Sequence, residues 1–424
     1  MSDTIFALSS GSPPAAIGVI RISGSRAKSA LESVSGALPE ARRAALRSIR
    51  DASGEVVDRA LVLRFDGPKT ATGEDLVEIH CHGGRAVIAA VEKALEALDG
   101  LRRAEPGEFT RRAFANGVMD LAEAEGLADL LSAETELQRI AAQASAGGVL
   151  SAKVDGWRSR VLTLSAFVEA ALDFSDEDDV EGLPEAFESG LTEIIGEIEK
   201  ALSVPRAERL RDGVRVVLAG PPNAGKSSLF NALLDEGAAI VADEAGTTRD
   251  VIERPIAFGG VPFVLIDTAG LRDEGAAEIE AIGIDRARRE LERADIVLWL
   301  GAEGEGPVGC VEVSSKADLG VAIKPGASHA VSALDGTGLD ELVEELVGRA
   351  KKLIPKPGEA AFNLRQSQAL AEAVSALQEI IPEGDLLITG ERLRLARRAF
   401  DRLLGRQSTE EVLDALFGRF CIGK

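Results

Sequence analysis

Residues 220–227 read Gly220-Pro221-Pro222-Asn223-Ala224-Gly225-Lys226-Ser227, and this G-x-x-x-x-G-K-[ST] run constrains the fold more tightly than any other stretch. The apolar run 214–219 directly before it predicts a buried strand, and the residues after it predict a helix. A glycine loop between strand and helix lets backbone N–H groups approach phosphate oxygens, and the helix dipole adds to the attraction. Lys226 is then expected to reach the outer phosphates and the Ser227 hydroxyl to ligate Mg²⁺, with Ala224, Gly225 and Ser228 in the same cradle. Strand-like runs at 261–266, 296–300 and, more weakly, 321–323 keep alternating with helical segments until Pro355 and Pro357. Such alternation predicts a doubly wound parallel sheet.

The downstream motifs choose the nucleotide. Asp267-Thr268-Ala269-Gly270 ends the run 261–266, where a metal-linked carboxylate and a γ-phosphate-sensing glycine belong. Thr247-Thr248-Arg249 lies between loop and strand, with Thr248 placed to complete the Mg²⁺ shell. Ser315-Lys316-Ala317-Asp318 resembles the N-K-x-D guanine motif, and Ser332-Ala333-Leu334 fits the last base-contacting element. Asp318 would accept hydrogen bonds from guanine's ring N–H and exocyclic amine, which adenine does not offer. In this order the elements resemble the translation-factor-like branch of Ras-type GTPases, which implies GTP binding and hydrolysis. Ser315 departs from the usual Asn: it is shorter and lacks one of the amide's two functions.

The water-orienting glutamine of many small GTPases is also missing, because Leu271 follows Asp267-Thr268-Ala269-Gly270. Glu280 is the candidate replacement; the competing reading is an ordinary exposed glutamate. Arg249 and Arg272 are nearby, yet neither stands out as an arginine finger. The Asn223 amide oxygen could instead help to hold a monovalent cation, together with carbonyls of the 242–248 loop.

Outside this block the chain reads differently. Strand-like runs at 17–22, 60–65 and 76–80, followed by a helix over 85–98, make the first 115 or so residues mixed α/β. From 121 to about 211, and again from 362 to 420, Ala, Leu and Glu recur at helical spacing. The economical reading is an α/β domain inserted into a helical one, which close-set domain termini tolerate. The segment 119–125 reads as a helix start, the acidic stretch 173–181 as a solvated loop, and Trp157 and Trp299 as core. Cys81, Cys310 and Cys421 form neither a disulfide framework nor a metal cage. His80, Cys81 and His82 alternate between faces of a strand and would not converge on one ion. The net charge of -22 argues against a general nucleic-acid binder, and the lack of Tyr argues against base-stacking platforms. No export signal is read in the first twenty residues and no apolar run reaches the roughly 18 residues of a membrane span, so a cytoplasmic protein is expected.

Several further motifs resemble one family from end to end. They are Asp3-Thr4-Ile5, Arg21-Ile22-Ser23-Gly24, Thr72-Gly73-Glu74-Asp75, His82-Gly83-Gly84 and Pro106-Gly107-Glu108-Phe109-Thr110. Met119-Asp120-Leu121-Ala122-Glu123-Ala124-Glu125, Ala245-Gly246-Thr247-Thr248-Arg249-Asp250 and a final Cys421-Ile422-Gly423-Lys424 complete the set. The family is MnmE (TrmE), the GTPases of tRNA wobble-uridine modification. The resemblance implies a folate-binding, dimerising domain over 1–117, similar to the glycine-cleavage T-protein. It also implies helical segments over 118–211 and 356–424 around a Ras-like domain over 212–355. It implies a homodimer that joins the FAD- and NADH-using partner MnmG in a heterotetramer. Together they would add an aminomethyl or carboxymethylaminomethyl group to uridine in tRNA, with carbon from a 5,10-methylene-tetrahydrofolate; 5-formyl-tetrahydrofolate is the other folate expected to bind. Arg21, Glu78 and Lys424 would contact the folate, with Val118 standing where the family has a further lysine contact. Asn223, Ala242, Glu244 and Thr247 would hold K⁺, and Glu280 and Lys226 would serve hydrolysis. Cys421 has two readings: a nucleophilic or redox role, or a small buried hydrophobe beside Phe420 and Ile422. A GTP-gated RNA or ribosome-assembly switch of the Era or Der type is the alternative; the N-terminal motifs, the acidic balance and the last four residues weigh against it.

Overall fold

The computed structural model describes residues 3–173, 183–239, 252–268, 288–320, 324–356, 359–382 and 384–424. It divides into two compact units, Met1–Ala128 with Phe400–Lys424, and Asp129–Ala399.

In the first unit, six strands form one sheet: β1 Thr4–Leu8, β2 Ile17–Ser23, β3 Ala45–Arg50, β4 Val56–Phe65, β5 Leu76–His82 and β6 Leu101–Arg103. Their order is β3-β4-β5-β2-β1-β6, antiparallel except for the β1/β6 pair. Alternation along the strands sorts the side chains by face. Ile20, Ile22, Ala60, Val62, Val77 and Ile79 pack with Leu31 and Val91 of the helices Ala27–Ser35 and Arg85–Glu96. The registers Leu46↔Leu61↔His80 and Leu63↔Glu78↔Arg21 line the other face. There Leu46 and Leu61 stay 54% and 39% exposed.

The helix Leu121–Leu131 begins where the sequence placed it. Asp120 accepts from the Glu123 N–H at 2.9 Å, and Glu123 accepts from the Asp120 N–H at 2.7 Å, a reciprocal cap. This helix and Glu410–Phe417 share a cluster of Leu121, Ala124, Leu413, Leu416, Phe417 and Phe420. The last residues lie against the body of the unit: Ile422 bridges to Pro106, and the Phe109 N–H donates to the Lys424 main-chain oxygen at 3.2 Å. Gly423 sits at φ +94°, where a Cβ would overlap the Leu8 carbonyl, so only glycine fits there.

The second unit carries the helices Glu136–Ala146, Val149–Asp173, Glu185–Leu202 and Leu364–Gln378 on either side, in sequence, of an α/β block. Trp157 is core as expected, 2% exposed, with its ring 6.4 Å from that of Phe362. The block is built on β7 Val214–Ala219, β8 Ala238–Ala239, β9 Ile252–Phe258, β10 Val261–Asp267, β11 Ile296–Trp299, β12 Val311–Ser314 and β13 His329–Ala330. Their order is β13-β12-β11-β7-β10-β9-β8. The expected strands at 214–219, 261–266 and 296–300 are present, while 321–323 falls outside the described residues. The sheet is not wholly parallel, which corrects the sequence expectation: β9 runs antiparallel to both β8 and β10. Gly259 and Gly260, at φ +54° and +77°, make the two-residue turn that folds β9 back onto β10. Trp299 is a second correction. It is half-buried at the end of β11, and its Nε1–H donates to the Ala302 carbonyl at 2.8 Å.

Candidate functional site

β7 is central in its sheet, and its C-terminal end delivers the chain to Gly220. The loop turns through positive φ at Gly220 (+145°), Asn223 (+60°) and Gly225 (+92°) before the helix Lys226–Glu236. Asn is among the few side chains that enter this region at low cost. Lys226 arches back over the loop, its Nζ donating to the carbonyls of Gly220 at 3.0 Å and Pro221 at 2.8 Å. The neighbouring strand β10 ends on Asp267, whose Oδ2 accepts from the Ser227 hydroxyl at 2.7 Å. Thr268 next to it donates to the Leu218 carbonyl at 2.8 Å, clamping the two strand ends. A hydroxyl and a carboxylate side by side are hard oxygen donors of the kind Mg²⁺ takes, so the residues fit the ion.

The base motif is tied to the same loop. Ser315 donates its hydroxyl proton to the Ala224 carbonyl at 2.6 Å, and Lys316 Nζ donates to the Asn223 carbonyl at 2.8 Å. Lys316 adopts φ +62°, the turn that starts the short 3₁₀ helix Ala317–Leu319 carrying the exposed Asp318. The Ala317 N–H donates to the Val331 carbonyl at 3.1 Å, which brings the segment 332–334 alongside. There the Ser332 hydroxyl accepts from the N–H groups of Leu334 and Asp335 at 3.3 and 3.4 Å, beside Ala333. The Thr337 N–H and hydroxyl, with Ser332, hold the Asp335 carboxyl below the usual range. Asn223, Ala224, Gly225, Lys226, Ser227, Asp267, Thr268, Ser315 and Lys316 are thus gathered at one end of the sheet, with Asp318 and Ser332 on loops joined to them. Ala242, Glu244, Thr247, Thr248, Ala269, Gly270, Leu271 and Glu280 lie outside the described residues.

The open face of the first unit's sheet holds a second cluster. Arg21 on β2 donates to Glu78 Oε1 on β5 through Nη2 at 2.9 Å and Nε at 3.2 Å. Its guanidinium carbon stands 5.8 Å from the centroid of Phe109, the residue whose N–H holds the Lys424 main-chain oxygen. Phe109 thus stands between the Arg21–Glu78 pair and the main chain of Lys424. Sequence reasoning named Phe109 and His80 without placing either in this cluster, where His80 Nε2 lies 3.3 Å from Glu78 Oε2. The alternation that sets His80 on the same face as Glu78 was a usable signal for one of them. His82 pairs instead with Asp58 at 2.8 Å, and Cys81 is buried with its thiol on the Gly18 carbonyl at 3.4 Å. Burial pushes that thiol up. Cys421 is exposed, which overturns its reading as a small buried hydrophobe. Only its neighbour Phe420 is buried, because the chain turns at 421–424 to reach Pro106 and Phe109.

Two family models match this sequence. One, described as the GTP-binding protein TrmE N-terminus, covers residues 4–118, and the other, the MnmE helical domain, covers 121–421. The chain is similar to the tRNA modification GTPase MnmE of Erythrobacter litoralis, 63% identical over 423 residues that span all of both chains. The protein of the same description from Novosphingobium aromaticivorans is 57% identical over 437 residues, again over the whole of both. That of Zymomonas mobilis is 50% identical, covering 99% of this chain and 100% of its own.

Proposed function

Because the chain belongs to the MnmE (TrmE) family of tRNA modification GTPases, we propose that it spends GTP hydrolysis on modifying the wobble uridine of tRNA. It is a GTP hydrolase. The observation that carries the reading is the pairing of the Ser227 hydroxyl with Asp267 at 2.7 Å, beside a loop that Ser315 and Lys316 join to the base motif. Phosphate, metal and base recognition would thereby share one end of a sheet.

In this reading Lys226 moves from the Gly220 and Pro221 carbonyls to the outer phosphates, where its ammonium offsets charge. Ser227 and Thr248 hold Mg²⁺, which when bound neutralises charge developing on the phosphoryl oxygens. Asp318 selects guanine by accepting from its ring N–H and exocyclic amine. With no glutamine at Leu271, Glu280 would orient water, and Asn223, Ala242, Glu244 and Thr247 would hold K⁺, which would add positive charge beside the phosphates. Asn223 fits that role: its main-chain carbonyl is taken by Lys316, while its exposed side-chain amide oxygen faces no partner among the described residues.

Arg21 and Glu78, with Lys424, would hold a tetrahydrofolate, which would supply a one-carbon unit for the uridine. The carboxylate suits pterin N–H groups and the cations suit folate carboxylates. The flavoprotein MnmG supplies the redox chemistry, and the open sheet face with Leu46 and Leu61 exposed suits self-association into a homodimer. The site is cytoplasmic in this reading, and among the described residues no helix is long and apolar enough to cross a membrane. The test is mass spectrometry of wobble uridine in cells lacking the protein. Loss of the five-position modification is expected; an unchanged profile would overturn the tRNA role and leave GTP hydrolysis standing.

A further inference from the structure

Ser315 has a single proton to give, and its destination is visible. The hydroxyl donates to the Ala224 carbonyl at 2.6 Å, directly beside the Lys316 Nζ contact to Asn223 at 2.8 Å. A hydroxyl carries one donor, so an oxygen that has given its proton can only accept. The outer edge of guanine's five-membered ring presents N7, with O6 next to it, and both are acceptors. Acceptor facing acceptor makes no hydrogen bond. An asparagine in the same place would carry two amide protons, enough for the loop carbonyl and for N7 together.

We propose that Ser315 in this chain positions the phosphate loop and leaves N7 of the base unread, so that guanine selection falls on the Asp318 side. The proposal rests on the reading of GTP as the nucleotide. It also explains how the loop tolerates Ser where the motif usually has Asn. The tie between base motif and phosphate loop survives, and only the contact to the base is given up. Asp318 keeps its part, because its exposed carboxylate has no partner among the described residues and offers acceptors to the two donors that mark guanine.

The experiment is equilibrium binding to the full chain, by competition against a fluorescent GDP, with GTP, 7-deaza-GTP (a carbon in place of N7) and ATP. The unaltered protein should bind GTP and 7-deaza-GTP within about twofold of each other, and Ser315→Asn should favour GTP by about fivefold to tenfold. Ser315→Ala, which removes the loop tie alone, should weaken both nucleotides to the same degree. A loss of about fivefold or more for 7-deaza-GTP with the unaltered protein would overturn the proposal, because some donor would then be reading N7. Equal affinities in Ser315→Asn, or unequal losses in Ser315→Ala, would overturn the assignment to residue 315. Should Ser315→Asn fail to fold, the two nucleotides on the unaltered chain still decide. A preference for ATP over GTP is a separate result: it would overturn the GTP reading itself and the proposal with it.

Discussion

Asp318 and Glu280 carry the sharpest expectations for single residues. Asp318 is exposed on the short 3₁₀ turn after Lys316, with acceptors that match the donors of guanine. Asp318→Asn replaces one acceptor by a donor and so matches xanthine, which has a carbonyl where guanine has its amine. The substitution should weaken GTP by about tenfold or more while strengthening xanthosine triphosphate. Competition binding reads both directions, and an unchanged preference would mean that the 315–318 segment does not read the base. Glu280→Ala should cut turnover by about a hundredfold with nucleotide affinity kept, since orienting water is a transition-state task. Single-turnover hydrolysis beside a binding titration separates the two, and undiminished turnover would return Glu280 to the exposed surface.

At the scale of elements, a buried tie between separate segments of the first unit was not legible in the sequence. Arg112, on the helix Glu108–Ala115, is 1% exposed and meets three carboxylates from separate segments. It reaches Asp3 Oδ1 at 3.1 Å, Glu74 Oε2 at 3.1 Å and Glu108 Oε1 at 3.0 Å. Ser23 adds a hydrogen bond to Glu74 at 2.8 Å. Thr72-Gly73-Glu74-Asp75 and Pro106-Gly107-Glu108-Phe109-Thr110 were visible as motifs, but nothing in their spacing said that one arginine joins them. Local signals fared better. The phosphate loop, the reciprocal cap at Asp120 and Glu123 and the alternation on β2 and β5 each sit within a few residues of what they determine. The short strands β8, β12 and β13 are two to four residues long, and their apolar content is too slight to register before neighbours pair with them. Arg112→Met takes from Glu74 its cation among the described residues, while Asp3 and Glu108 keep Arg102, so the substitution should cost about 3 kcal/mol. Burial alone would raise the Glu108 carboxyl, but Arg102, the Glu105 N–H and Arg112 outweigh it and hold it below the usual range. A depressed carboxylate stabilises the fold above its unfolded pKa and loses that contribution as pH falls through the folded value. The protection of the β1 and β5 amides, taken relative to their intrinsic exchange rate at each pH, should therefore fall on acidification below about pH 4, and fall less steeply in Arg112→Met. Equal slopes in the two proteins would remove Glu108 and Arg112 from the account of acid stability.

Across the whole molecule, the charge of -22 and the missing glutamine bear on one measurement. A GTPase without the usual water-orienting glutamine or an identifiable arginine finger still needs positive charge where the phosphoryl group departs. Asn223, with its side-chain amide exposed at a φ of +60° in the loop itself, is where a monovalent cation would add to it. Hydrolysis should then be faster in K⁺ than in Na⁺, because carbonyl and amide oxygens around an ion distinguish ions by size. A chain this acidic also responds to ionic strength without any site, since counterions screen its self-repulsion. The comparison is therefore made at one ionic strength, with choline as a cation that screens and does not ligate. Self-association enters the same assay. If two copies must meet for hydrolysis, turnover per chain in K⁺ should climb with protein concentration and level off, and in choline it should stay low throughout. Asn223→Gly should remove the difference between K⁺ and Na⁺ while keeping nucleotide affinity within about twofold, since glycine takes the φ of +60° freely and the main-chain carbonyl that Lys316 grips is retained. Identical rates in K⁺, Na⁺ and choline would dismiss the cation, and a rate per chain independent of concentration would dismiss the pairing, so each half of the idea can fail alone.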